Sequence, residues 1–97
     1  METIVLHEHN NGMTFFSMEV DGHEVGRMMI NINSGTLRAG HTGIDLSRQH
    51  KGYGKKLVDK MAEYARENGL KVIPDCGFVN MMFSKHPELY GDIRGTR

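Results

Sequence analysis

Tryptophan is absent from this chain of 97 residues, cysteine occurs once and proline twice. A lone Cys76 excludes an intramolecular disulfide and any cysteine-rich zinc site, and it suits reducing surroundings. His7 and His9 with Glu8 form no metal-ligand spacing, so no metal is expected. No run approaches the ~18 apolar residues needed to span a bilayer, and the first residues lack the basic start and long apolar core of a secretion signal. The expectation is a cytoplasmic protein with no membrane partner. An excess of charge of one sign is also missing, since twelve Lys and Arg balance twelve Asp and Glu. A globally basic nucleic-acid binder is therefore disfavoured. The length allows one domain, 1–97, with one modest core.

What is present is unevenly placed. Residues 1–46 carry six acids against two Lys or Arg, residues 47–60 one acid against five, and residues 61–97 five of each. The basic stretch contains Gln49-His50-Lys51-Gly52-Tyr53-Gly54, where a strand-like segment gives way to an amphipathic helix. Two glycines at such a junction let the backbone come close to a ligand. The first N–H groups of the helix have no partner within it and sit at the positive end of its dipole, so a phosphate is their natural ligand. Gln49, His50, Lys51, Lys55 and Lys56 surround the spot with donors. The stretch reads as a pyrophosphate cradle, although a glycine-bearing strand-to-helix turn is common in proteins that bind nothing there. It matches neither the P-loop nor the dinucleotide fingerprint.

Upstream, residues 3–7, 13–20, 24–33 and 36–46 read as strands separated by Asn11-Gly12, Asp21-Gly22 and Ser34-Gly35, all strong tight-turn signals. Phe16, Met18 and Val20 alternate with Phe15, Ser17 and Glu19, and Met28, Ile30 and Ile32 share one side. In the fourth strand Leu37, Ala39 and His41 are in phase while Ile44 and Leu46 have the opposite parity. A bulge between Gly40 and Gly43 explains the slip, and bulges re-aim side chains near functional sites. Residues 53–68 carry Leu57, Val58, Met61, Ala62, Tyr64 and Ala65 as a stripe of helical period, closed by Asn68-Gly69. Residues 70–75 read as a buried strand, 78–85 as a shorter helix ended by Pro87, and the tail from Glu88 as loosely ordered. The fold class is α/β (α+β): an antiparallel meander of four strands followed by α-β-α, with the fourth and fifth strands parallel and joined by a right-handed crossover.

Gln49-x-x-Gly52-x-Gly54 fits the Gln/Arg-x-x-Gly-x-Gly/Ala signature with which the GNAT superfamily of N-acetyltransferases holds the pyrophosphate of acyl-coenzyme A. Around it stand His41-Thr42, the passage Tyr64-Ala65-Arg66-Glu67-Asn68-Gly69-Leu70-Lys71-Val72, Cys76-Gly77-Phe78-Val79 and Lys85-His86-Pro87-Glu88. In this order the motifs resemble the minimal, single-domain N-acetyltransferase-like family over residues 36–89. The resemblance implies a GNAT-like mixed sheet, acetyl-CoA or coenzyme A as cofactor and an amine acceptor, either a small molecule or a protein lysine. It implies cofactor contacts from the main chain of Ile44 and Leu46, from Gln49, His50, Lys51, Gly52, Tyr53, Gly54 and Lys55, and more weakly from Asn80. His41 is the candidate base, since an imidazole accepts protons near neutral pH. Cys76 is the candidate acid for the departing thiolate or, less directly, an acyl-accepting nucleophile. Read without the family, Cys76 is a small core residue and His41 a hydrogen-bonded structural one. One departure stands out: residues 78–85 lack the tyrosine that many GNAT enzymes use as general acid. Two other functions stay open, a non-catalytic acyl-CoA-binding or interaction module, and single-strand nucleic-acid binding through Arg48, Lys51, Lys55 and Lys56.

Overall fold

Asp21-Gly22 and Ser34-Gly35 each place two successive residues at positive φ (51° and 85°, 50° and 80°). These are the two-residue loops whose twist suits a right-handed strand pair, and they close the second and third hairpins as the dipeptides predict. The structure, a computed structural model, describes residues 1–10 and 13–95, so the Asn11-Gly12 turn lies outside the described residues. The strands are β1 (Glu2–Asn10), β2 (Met13–Val20), β3 (His23–Asn33), β4 (Thr36–Ile44) and β5 (Lys71–Pro74). They form one sheet in the order β1-β2-β3-β4-β5, antiparallel except for the parallel pair β4 and β5.

Helix α1 (Tyr53–Glu67) runs between β4 and β5. It ends on Gly69 at φ 66°, with Leu70 N–H donating to Ala65 O (2.8 Å) and Gly69 N–H to Arg66 O (3.3 Å), the paired bonds of a Schellman stop. Its buried stripe of Leu57, Val58, Met61, Ala62 and Ala65 forms one core with Phe16, Met18, Met28, Ile30, Leu37, Ala39 and Val72. Helix α2 (Gly77–Lys85) adds Val79, Met82 and Phe83 to the same core, so the helices stand on one face of the sheet. On the other face Phe15 lies between the His7 ring (centroids 4.6 Å apart) and the Arg27 guanidinium (3.8 Å above it). That covering, with His7 Nε2 bonded to Ser17 Oγ at 3.0 Å, buries Phe15 and Ser17 although alternation alone marks them as outward.

Two expectations are corrected. The fourth strand stops at Ile44, and Leu46–Arg48 form one turn of 3₁₀ helix that leaves Leu46 87% exposed. The tail is not loose through its described length. A short helix α3 (Pro87–Tyr90) follows α2, and Tyr90 and Ile93 are both buried. The Tyr90 ring stacks on Phe83 (5.0 Å), and its hydroxyl donates to Asp59 Oδ1 at 2.6 Å. Val72 N–H donates to Ile93 O (2.7 Å) and Gly95 N–H to Val72 O (2.8 Å), so the tail pairs along the outer edge of β5 and shields it. Arg66 clamps Asp92 with two bonds of 2.7 and 2.9 Å.

Candidate functional site

β4 and β5 are paired only from Thr36 to Ala39 on the β4 side. There the strands part: the amides of Asp75 and Cys76 both donate to Ala39 O, each at 3.0 Å, and β4 runs on to Ile44 without its neighbour. The β3–β4 register slips between Met28, opposite Thr42, and Ile30, opposite Ala39. Gly40 and His41 therefore share the place of one residue, which is the bulge that the parity change predicts. Beyond it, alternation turns Ile44 to the open side. Asp45 N–H donates to Val25 O of β3 (2.8 Å), while Ile44 O accepts a long bond from Gln49 Nε2 (3.4 Å).

A cavity of about 290 Å³ occupies this opening, lined by Thr42, Ile44, Arg48, Gln49, His50, Tyr53, Gly54 and Phe78. The start of α1 forms its end wall. Gly52, the residue before the helix, has φ 78°, and no side chain caps the N-terminus; no acid lies in the first turn. His50 also has positive φ, at 69°, so two residues of the loop hold a backbone that L side chains disfavour. Gly54 serves a different end: a Cβ there would stand 2.8 Å from Phe78 Cζ. The two glycines of the motif are thus required by backbone conformation at Gly52 and by the close approach of α2 at Gly54.

Cys76 precedes α2 as its cap residue and is partly buried. Its thiol makes no cap hydrogen bond of full geometry. Burial pushes the thiol up, but the Val79 main chain, the Thr42 side chain and the Phe78 main chain together outweigh burial and hold it below its ordinary range. Among the described residues Thr42 Oγ1 is the one buried side-chain oxygen or nitrogen without a hydrogen-bond partner.

Of the sequence-predicted residues, the cavity brings together Ile44, Gln49, His50, Tyr53 and Gly54. Gly52 adjoins it and Lys51 is exposed beside it. Lys55 is drawn to Asp59 (2.7 Å) and Lys56 to Glu2. The Asn80 side chain accepts from Arg94 Nη2 at 2.9 Å and lies outside the cavity lining. Leu46 has left the strand. His41 is exposed on the opposite face of the sheet, its ring over Gly43, in a separate hollow of about 370 Å³ shared with Glu24, Arg27 and Asp45. Sequence reasoning passed over Thr42, Arg48 and Phe78 as parts of this site. The signal for Thr42 was the bulge itself, which moves position 42 into the phase that position 41 would otherwise keep. No group of His, Cys, Asp or Glu among the described residues is arranged to hold a metal, and none of their helices is long and apolar enough to cross a membrane.

Residues 15–93 match the family model described as GCN5-related N-acetyl-transferase. No curated protein matches the sequence. Among solved structures, that of a GCN5-like protein from Staphylococcus aureus is 26% identical with a TM-score of 0.74, over 98% of this chain and 89% of that one. An acetyltransferase from Bacillus subtilis in complex with CoA is 14% identical with a TM-score of 0.65, over 88% and 74%. A GNAT family acetyltransferase from Brucella melitensis in complex with acetyl-CoA is 20% identical with a TM-score of 0.57, over 71% of this chain and 51% of that one. The last two likenesses concern the fold.

Proposed function

Because the chain belongs to the GCN5-related N-acetyltransferase family, we propose that it transfers the acetyl group of acetyl-CoA to a primary amine, with the opening between β4 and β5 as the cofactor site. The observation that carries this reading is the convergence, at one end of a 290 Å³ cavity, of strand edge left open beyond Ala39 and an uncapped helix start. A pantetheine arm adds to β4 along Ile44 as another strand would. The pyrophosphate sits on the first amides of α1, where dipole and unpaired N–H groups favour an anion. Gln49, His50, Lys51 and Arg48 surround it, and Lys55, Leu46 and Asn80 lie farther out.

In the reaction the amine nitrogen attacks the thioester carbonyl carbon, the C–S bond breaks, and the sulfur leaves with the electron pair. Two proton movements must be served. The attacking ammonium gives up its proton on the His41 face, and the departing thiolate takes one near Cys76. Tyr90 serves neither, because its hydroxyl is buried on Asp59. Burial and that bond hold the phenol far above its ordinary range.

The test is calorimetric titration with coenzyme A and acetyl-CoA, followed by thiol release in the presence of mixed amines. Binding together with release that disappears in Cys76→Ala or His41→Ala is the expected result; absence of binding by an intact fold overturns the proposal. The absence of a tyrosine from α2 favours one second reading, an acyl-CoA-binding module without turnover. Tight binding with no thiol release from any amine would establish it.

A further inference from the structure

We propose that the chain forms a two-fold homodimer in which the free edges of two β1 strands pair antiparallel, centred on Val5, and join two five-stranded sheets into one. The association is independent of what the β4–β5 opening binds. The two edges of the sheet differ. At β5 the tail lies along the strand, with Val72 N–H donating to Ile93 O (2.7 Å) and Gly95 N–H donating to Val72 O (2.8 Å). β1 is the last strand on the other side, and among the described residues no main-chain bond reaches Glu2–Asn10 except from β2. Every second residue of this nine-residue strand therefore turns an unpaired N–H and C=O outward, a template for another strand. The usual protections are missing. The strand has no proline, lysine or arginine, and its pairing with β2 runs without a bulge from Glu2 to His7.

What this edge offers is matched to itself. Residues 2–8 read Glu-Thr-Ile-Val-Leu-His-Glu, which presents the same kinds of side chain in either direction: an acid, a polar group, three aliphatics, a polar group, an acid. A two-fold axis through Val5 sets that residue opposite its own copy, Ile4 opposite Leu6 and Thr3 opposite His7. Ile4, Val5 and Leu6 are only half-buried in the single chain, so pairing takes more of their apolar surface out of water. The same register sets Glu8 opposite Glu2, and two acids in that position repel. Helix α1 supplies the bases that offset this. Beside β1 a groove of about 510 Å³ is lined by Ile4, Met18, Lys56, Asp59, Lys60 and Glu63. Lys56 already holds Glu2, Asp59 is taken by Tyr90 and Lys55, and Lys60 is loosely held by Glu63 at 3.7 Å. Glu8 is exposed and in no ion pair among the described residues. Pairing brings Glu8 of the second copy beside Glu2, where Lys56 and Lys60 stand, so each pair of acids meets two bases. A foreign extended segment would meet the same open edge, but the chain itself supplies the reversed order of side chains with acids at the right ends.

Sedimentation equilibrium of the full-length protein over a range of concentrations reads the association and needs no acetyl-CoA. The expected result is a reversible dimer of twice 11.0 kDa. Val5→Lys puts two ammonium groups opposite each other at the axis and should raise the dissociation constant roughly tenfold or more. Should that variant not fold, Glu8→Lys alters an exposed side chain, turns attraction to Lys56 and Lys60 into repulsion, and should weaken the dimer as well. Cross-linking reads the register. In a Cys76→Ser background Val5→Cys meets its own copy and should close an intersubunit disulfide on oxidation, whereas Thr3→Cys faces His7 and should not. A native protein that stays at 11.0 kDa at every concentration overturns the proposal. So does a dimer that folded Val5→Lys and Glu8→Lys leave unchanged, or one that Thr3→Cys cross-links as readily as Val5→Cys. A dimer of this kind that fails to bind coenzyme A would leave the pairing standing and remove the acetyltransferase reading.

Discussion

Gly52 and Gly54 stand one residue apart in one motif, yet their substitution by alanine should have different outcomes. At Gly52 a Cβ meets nothing within 4 Å, but φ is 78°. Gly52→Ala should therefore cost about 1 to 2 kcal/mol of stability in urea unfolding, the penalty of a left-handed backbone for an L residue. At Gly54 the backbone is helical, where alanine gains roughly 0.5–1 kcal/mol, while its Cβ must push the Phe78 ring, 2.8 Å away, into the cavity. We expect Gly54→Ala to melt near the native temperature and to bind coenzyme A several-fold more weakly. Equal loss of stability in both variants would refute the separate roles. Cys76 offers a second check at this scale. Its thiol is lowered from an ordinary 9.0 in the folded state, so the contribution of the thiolate is complete above that value and is lost as pH falls through the folded one. The stability difference between native protein and Cys76→Ala should grow from neutral to alkaline pH; a difference independent of pH would contradict the lowered thiol. At this scale the sequence was least transparent. Leu37, Ala39 and His41 look continuous, and which of positions 40–43 doubles up depends on pairing with β3, a non-local contact that strand periodicity does not contain.

The elements with a strong local signal were legible. The α1 stripe and its glycine stop follow from helical periodicity, and the β-hairpins at Asp21-Gly22 and Ser34-Gly35 from turn chemistry. The tail was not, because ten residues with two glycines carry no period. Their order comes from distant partners: Phe83, Asp59, Arg66 and the free edge of β5. This yields a sharp expectation. Tyr90→Ala removes a buried ring and its hydroxyl bond and should cost about 3 to 5 kcal/mol, in the range for deletion of a core aromatic. Set against the ~5–15 kcal/mol that holds most domains together, that is enough to lower the urea midpoint severely. Deletion of residues 88–97 should do at least as much. If either change left the unfolding curve where it was, the docking of the tail onto α1 and β5 would be wrong.

Across the whole molecule the charges are sorted although they sum to zero. The acids of the first half cluster toward the β-meander, and Lys51, Arg48 and His50 gather at the opening, while Lys55 and Lys56 are neutralised by Asp59 and Glu2. A fold of radius of gyration 12.7 Å is comparable in size to the ~10 Å screening length at 0.1 M salt, so an approaching polyanion feels this sorting only when salt is low. Two sources of affinity are then separable. Main-chain amides at the start of α1 act in contact with a phosphate and resist screening, whereas the exposed cations act from a distance. Affinity for coenzyme A, measured by titration from low to high salt, should fall by roughly tenfold or less and then level off. Lys51→Ala should weaken binding at low salt and make little difference at high salt. Gly52→Ala, which disturbs the amides themselves, should weaken it at every salt concentration. If the residual affinity at high salt vanished in native protein, the side chains alone would be holding the ligand, and the helix start would not be the anion site.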